Sequence, residues 1–310
     1  MKKILLIISS MMVIILVIGT VIYYSNNNEE QLNDASSTEQ SSSKTEQPQS
    51  EDLQPINNNP VTYSLQNNEL NISHNYGEDW ITVPIETDLL FEGEYDGGEQ
   101  ELIEDSYVLT EDRAAFLYSK GPDWDEKRII LTYSLDKGDT WEETVVTDQA
   151  TSMRFRKIDF LNDTFGYIIF SGGRTMSEEG VRIFITENGG DNWDETNNLG
   201  VTRLISDGGF IDETTGFLSF GTSDPSEPNM HVTQNAGDTW EQSIFNMPEK
   251  YDDIFVLAEV PRKENNHLIV LVNQGPHGDY KGGKIKGQFI SEDNGKTWTF
   301  EKEVQPDEAK

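Results

Sequence analysis

The chain has 310 residues, enough for one large domain or two small ones, and carries 56 acidic against 23 basic side chains, a formal net charge of −33. It has no cysteine, which excludes a disulfide framework, a thiolate metal site, a cysteine nucleophile and a lipid-modified cysteine anchor. Such acidity repels nucleic acid, whose binding rests on Lys and Arg at phosphates, and favours solubility, cations and basic partners. Adaptation to salt or alkaline surroundings would give the same balance.

Lys2 and Lys3 precede an uncharged run of 21 residues, Ile4 to Tyr24. As a helix it spans about 30 Å, the thickness of a bilayer's hydrocarbon core. With the lysines on one side and Glu29 and Glu30 on the other, the positive-inside rule places everything after Tyr24 outside the membrane. A cleaved signal peptide is the alternative, but its apolar part is shorter and ends in small residues, whereas this run ends Val21-Ile22-Tyr23-Tyr24. Residues 1–24 therefore read as a transmembrane signal-anchor. Residues 25–60, rich in Ser, Asn, Gln and Glu, bury too little to offset ordering entropy and read as a disordered linker.

Residues 61–310 carry five related octads: SHNYGEDW at 73–80, SLDKGDTW at 134–141, TENGGDNW at 186–193, TQNAGDTW at 233–240 and SEDNGKTW at 291–298. The third position is Asn75, Asp136, Asn188, Asn235 or Asp293, a side chain that folds onto nearby amides. The fifth is Gly77, Gly138, Gly190, Gly237 or Gly295, which accepts the positive φ of a tight hairpin. The eighth is Trp80, Trp141, Trp193, Trp240 or Trp298, whose indole covers the edge of packed sheets. These fifteen residues are assigned to structure rather than chemistry.

Strand-like runs precede the octads: Tyr107–Tyr118, Ile158–Phe170 and Phe210–Phe220, then Ile129–Tyr133, Val181–Ile185, Met230–Val232 and Gly287–Ile290. The Trp-to-Trp spacings are 61, 52, 47 and 58 residues. Four short strands per unit of this length predict an all-β propeller. Five octads predict about five four-stranded blades, the first lacking its innermost strand, or six if the stretch 87–106 holds further strands. How the ring closes is left open.

The octads resemble the Asp-box, or bacterial neuraminidase, repeats of the sialidase-like β-propeller superfamily. Their spacing and the Asp-x-x-x-Gly-Phe/Tyr element before them are closer to photosystem II assembly factor and sortilin-type propellers than to true sialidases. The resemblance covers about 61–303 and implies that the Asp-boxes join the third and fourth strands of each blade, opposite the usual ligand face. Ligands then meet the loops 119–127, 171–180, 221–229 and 273–284, which are rich in Gly and Pro and unlike one another.

On those loops Trp124 is a candidate for stacking on a sugar or anchoring a protein, Arg174 is a cation at the mouth of the channel, and Tyr280 is a further candidate. Arg154 and Arg156 flank Phe155 and, in a regular strand, point to one side, lining the channel or neutralising carboxylates. The octads approach calcium-loop spacing without its closing Glu, so they are not read as metal sites. Residues 92–105 could attract Ca²⁺ but read as a solvated acidic loop. No cofactor is implied, and the sequence assigns no oligomeric state.

By resemblance, sialidases hold a substrate carboxylate with three arginines, the first in a Phe/Tyr-Arg-Ile-Pro motif before the first Asp-box. This chain lacks that motif, and its first arginine, Arg113, follows the first box. The expected function is a non-catalytic extracytoplasmic module that captures a protein or glycan. A glycoside hydrolase is the alternative, and no catalytic residue is assigned to it.

Overall fold

The computed structural model describes residues 52–94, 97–173, 178–221 and 226–305. The apolar run 4–24, the linker as far as residue 51, and Arg174 lie outside the described residues. Among those described, no helix is long and apolar enough to cross a membrane.

The unit is almost entirely β. Sheet 1 contains β1 (Thr62–Gln66), β2 (Glu69–Ser73) and β3 (Ile81–Thr82), followed by one helical turn, α1 (Thr87–Leu90). Sheet 2 contains β4 (Tyr107–Leu109), β5 (Ala114–Lys120), β6 (Lys127–Ser134) and β7 (Glu142–Ala150). Sheet 3 contains β8 (Met153–Phe160), β9 (Gly166–Gly172), β10 (Gly180–Thr186) and β11 (Asp194–Glu195). Sheet 4 contains β12 (Leu204–Phe210), β13 (Gly216–Gly221), β14 (Asn229–Thr233) and β15 (Glu241–Gln242). Sheet 5 contains β16 (Ile244–Asn246), β17 (Phe255–Ala258), β18 (Arg262–Glu264), β19 (His267–Gln274), β20 (Lys286–Ser291) and β21 (Thr297–Val304).

Sheets 2 to 4 are antiparallel meanders in chain order, as the four-strand units predict. In sheet 5, β16 adds a parallel strand outside β21. The stretch 87–106, where a sixth unit could have lain, holds α1 and no strand among its described residues.

Second strands are buried on both faces, which explains their unbroken apolar runs. Every residue of β9 is buried, while β11 and β15 are two exposed residues each. The two-residue period divides β5: Phe116 and Tyr118 join a cluster with Tyr63, Leu70 and Ile72 of sheet 1, and Ala115 and Leu117 join one with Ile158 and Ile168 of sheet 3. Two more clusters pack sheet 3 on sheet 4 and sheet 4 on sheet 5. The four clusters thus fill the four successive interfaces, and among the described residues none of them joins sheet 1 to sheet 5.

All five octads close in the same way. The first hydroxyl (Ser73, Ser134, Thr186, Thr233, Ser291) donates to the third residue's side-chain oxygen at 2.8–2.9 Å and accepts from the glycine N–H at 2.8–3.0 Å. That same oxygen accepts the seventh residue's N–H, 2.8 Å away at Thr140 and 3.0 Å at Asn192. The fourth position also takes positive φ in every octad, at Tyr76, Lys137, Gly189, Ala236 and Asn294. The turn therefore needs two consecutive left-handed residues, and the sequence pattern revealed only the second.

The octad glycines also meet the preceding sheet. A Cβ at Gly295 of sheet 5 would lie 2.3 Å from the Phe217 ring of sheet 4, and one at Gly237 of sheet 4 would lie 2.6 Å from Thr196, just after β11. In the first octad the neighbour is Pro55, whose ring lies 3.3 Å from that position at Gly77.

Pro55 belongs to a segment read from sequence as disordered linker, and here the expected boundary at residue 60 is corrected. The Ile56 N–H donates to the Tyr63 carbonyl at 2.9 Å, and the Gln54 N–H to the Gln66 side chain at 2.7 Å. The Pro60 carbonyl accepts the Tyr76 N–H, as Thr164 and Thr214 accept Gly189 and Ala236 in sheets 3 and 4. Residues 52–56 thus lie beside β1 where the missing innermost strand would run, and the folded unit begins at Asp52.

Candidate functional site

Two places gather chemistry-bearing side chains. The larger is a groove of about 1030 Å³ between sheets 2 and 3, at the end opposite the octads. Its walls come from β5, β6 and β7, from the loop 121–126, and from β9 and β10. Phe170 gives an apolar wall. Arg182 sits 5.0 Å over the Phe184 ring and 5.6 Å over Phe170, with both Glu195 oxygens 2.6–2.7 Å from its nitrogens. Its charge is therefore neutralised within the protein. Glu143 accepts the Tyr118 hydroxyl at 3.2 Å, while Lys120, Arg128 and Asp148 line the groove from sheet 2.

Trp124 lies in the loop 121–126 and is 66% exposed; among the described aromatic residues only Tyr76, at 62%, is comparably exposed. The loop beneath it is tied down at both ends. The Lys127 ammonium, 5% exposed, reaches the Gly121 carbonyl at 2.8 Å and the Glu92 carboxylate at 2.5 Å. The Trp124 carbonyl accepts the Ser152 N–H at 2.6 Å. An exposed indole on a pinned backbone is a platform rather than a lid folded onto its own sheet.

The second place is the row of innermost strands. The Lys157 ammonium lies 2.9 Å from Asp207 of β12 and 3.3 Å from Asp105, just before β4. Lys157 thereby ties three sheets, and the Val260 N–H of the fifth donates to Asp207 at 3.1 Å. Burial, then the nearby charge of Asp105, raises the Asp159 carboxyl, against the Phe160 N–H and Lys157. Burial and the charges of Asp159, Asp105 and Asp207 raise the Tyr167 phenol.

The other residues singled out from sequence are committed to the fold. Arg154 and Arg156 do not point to one side, because a bulge between Met153 and Phe155 breaks the alternation. Arg154 pairs with the buried Glu179 and donates to the Ile205 carbonyl at 2.6 Å, joining sheets 3 and 4. Arg156, 3% exposed, donates to the carbonyls of Leu90 and Glu92; burial draws its pKa down to about 10. Tyr280 packs edge-on against Tyr251 and Phe255 and donates to Glu303 at 2.9 Å. Among the described residues, no group of three or more His, Asp or Glu is placed to hold a metal ion.

Sequence reasoning missed the Asp105–Lys157–Asp207 tie and the cations flanking the Trp124 loop. Repeat alignment held a signal for the first, since Lys157 and Asp207 stand equally far before Phe160 and Phe210.

No family model and no curated protein matches the chain. Among solved structures, a protein of unknown function from Dyadobacter fermentans is 14% identical over 62% of this chain and 65% of its own, with a TM-score of 0.40. A GH43_1 enzyme from Xanthomonas citri is 10% identical over 64% of this chain and 72% of its own, with a TM-score of 0.38. A mutant Trypanosoma rangeli sialidase displaying trans-sialidase activity is 11% identical over 67% of this chain and 40% of its own, with a TM-score of 0.40. The match thus spans under two thirds of the first and third of these proteins. At such values the likenesses carry no argument about this chain.

Proposed function

We propose that the chain is a non-catalytic binding module, a five-bladed Asp-box propeller tethered outside the membrane by residues 1–24, which holds an oligosaccharide in the groove between sheets 2 and 3. The observation that carries this reading is the Trp124 platform. Exposing an indole forfeits its burial, and an exposed indole on a pinned loop whose Pro122 and Asp125 line a wide groove suits stacking against the flat face of a sugar ring. Carboxylates and cations on the walls supply acceptors and donors for hydroxyl groups. The sequence supports the tether through the lysines before the apolar run and the acidic residues after it.

The test is a thermal-shift and calorimetric screen of glycans. A sugar at a hundredfold excess over its dissociation constant adds about 2.7 kcal/mol, or roughly 5–10 °C for a domain of this size. Trp124→Ala should abolish the shift with little change in the unliganded melting temperature. If no glycan shifts the melting temperature, the reading fails and a protein partner takes its place.

A second reading, a glycoside hydrolase, is favoured by Asp159 alone. Its carboxyl, raised chiefly by burial, is of the kind that general-acid chemistry uses. Lys157 argues against it by neutralising Asp105 and Asp207. Glycan cleavage by the wild type that is lost in Asp159→Asn would replace the binding module with an enzyme.

A further inference from the structure

Most cations near the candidate sites are spoken for. Lys127, Arg154, Lys157, Arg182 and Lys286 each meet a carboxylate, and Arg113 and Arg156 are held by backbone carbonyls. Lys120 and Arg128 differ. They are direct partners across β5 and β6, both exposed, both lining the groove, and no ion pair engages either among the described residues. Like charges directly opposite one another destabilise a sheet. The chain has 56 acidic residues and several line this groove, yet none of those described forms an ion pair with either cation.

We infer that Lys120 and Arg128 anchor a single carboxylate on the oligosaccharide that occupies the groove; this rests on the reading of the groove as a glycan site. Directly opposed residues place their Cβ atoms roughly 5 Å apart, so one ammonium and one guanidinium can each take an oxygen of the same carboxylate. A groove of about 1030 Å³ accommodates several sugar rings, which lets the anchored group and rings lying along Pro122 and Asp125, either side of the Trp124 segment, belong to one ligand. The remaining lining sets the charge density. Asp125, Glu126, Glu143 and Asp148 stand along the same groove, and the whole chain carries −33. A densely charged polymer is repelled by both, whereas an oligomer with one acidic sugar among neutral ones satisfies the cation pair at little electrostatic cost. The ligand class is therefore a sparsely acidic oligosaccharide of the uronate type.

The experiment uses the full chain in detergent and titrates five-ring gluco-, xylo- and manno-oligosaccharides, each bearing one glucuronate, beside the same oligomers with that carboxyl reduced to an alcohol. At least one acidic oligomer should bind tenfold or more tightly than its reduced form. Lys120→Gln with Arg128→Gln should erase that preference, so that the two forms bind alike, without lowering the melting temperature. Lys120→Arg should retain it. Equal binding of the two forms by the wild type overturns the anchor while the glycan reading stands. Tighter binding of a densely sulfated polymer overturns the single-carboxylate match. If no oligomer of either form binds, the glycan reading fails, and this inference with it.

Discussion

Arg113 shows how one residue can substitute a different force at a repeated position. It stands just before β5, where Phe165 stands before β9. Phe165 meets Phe210 of the following sheet edge-on with ring centres 5.9 Å apart. Arg113 meets the equivalent Phe160 with its guanidinium 3.7 Å over the ring, and adds hydrogen bonds to the carbonyls of Gly189 at 2.7 Å and Asp163 at 3.0 Å. Arg113→Ala should cost about 2–3 kcal/mol in urea unfolding, since a desolvated cation–π contact and two charge-assisted hydrogen bonds go together. Arg113→Lys should recover only part, because an ammonium lacks the planar fork.

Glu303 gives a residue-scale prediction in pH. Its carboxylate accepts from Lys281, Tyr251 and Tyr280, which depress its pKa to about 2. A depressed carboxyl stabilises the fold fully above its unfolded pKa and ceases to do so as pH falls towards the folded value. The contribution should fade between about pH 4.5 and 2. The stability–pH curve of Glu303→Gln should be flatter than the wild type's across that window, and parallel curves would remove Glu303 from the acid response.

At the scale of the element, the octad turn separates backbone demand from side-chain identity. Ala236 adopts φ +56° at the fourth position, a conformation unfavourable to a residue with a Cβ. Ala236→Gly should therefore stabilise by roughly 0.5–1 kcal/mol, an unusual sign for a glycine substitution. The octad tryptophans are not equivalent. Trp298 is fully buried between Phe217 and Phe245, whereas Trp141 and Trp240 are half-buried. Trp298→Ala should cost about 3–5 kcal/mol, and Trp141→Ala clearly less in the same denaturant series.

These elements also show what could be read from sequence. The turn's hydrogen bonds follow from residue types at fixed spacing, so Ser73, Asn75 and Gly77 and their counterparts were legible. The meander order followed from apolar runs of strand length. The bulge that parts Arg154 from Arg156 was not legible, because a one-residue irregularity leaves no trace in composition. Nor was the groove, whose lining is gathered from β5, β6, β7, β9, β10 and the loop 121–126 by the packing of two sheets. Trp124 was legible only as an aromatic in a polar loop. Its exposure and its pinned backbone depend on Ser152, Lys127 and Glu92, brought together by tertiary packing.

At the scale of the folded unit, residues 52–60 were misread because composition measures a segment's own apolar content and not the sheet it lies against. Their role can be measured. Of two chains, one spanning residues 52–310 and the other 61–310, the shorter should be less stable by about 1–3 kcal/mol, since it loses the Pro55 contact and the Ile56–Tyr63 and Gln54–Gln66 hydrogen bonds. Equal stability in urea unfolding would return the segment to the linker.

The contacts of the octad glycines also impose a direction. Gly138, Gly237 and Gly295 each close against a residue of the preceding sheet or the strand end that follows it, and Gly77 closes against Pro55 at the start of the unit. Each turn therefore finds its covering surface in chain already made. During synthesis the protein need not wait for its C-terminus before its first turns are shielded. Assembly can advance sheet by sheet at the pace of translation, with the least protected surface always at the newest sheet.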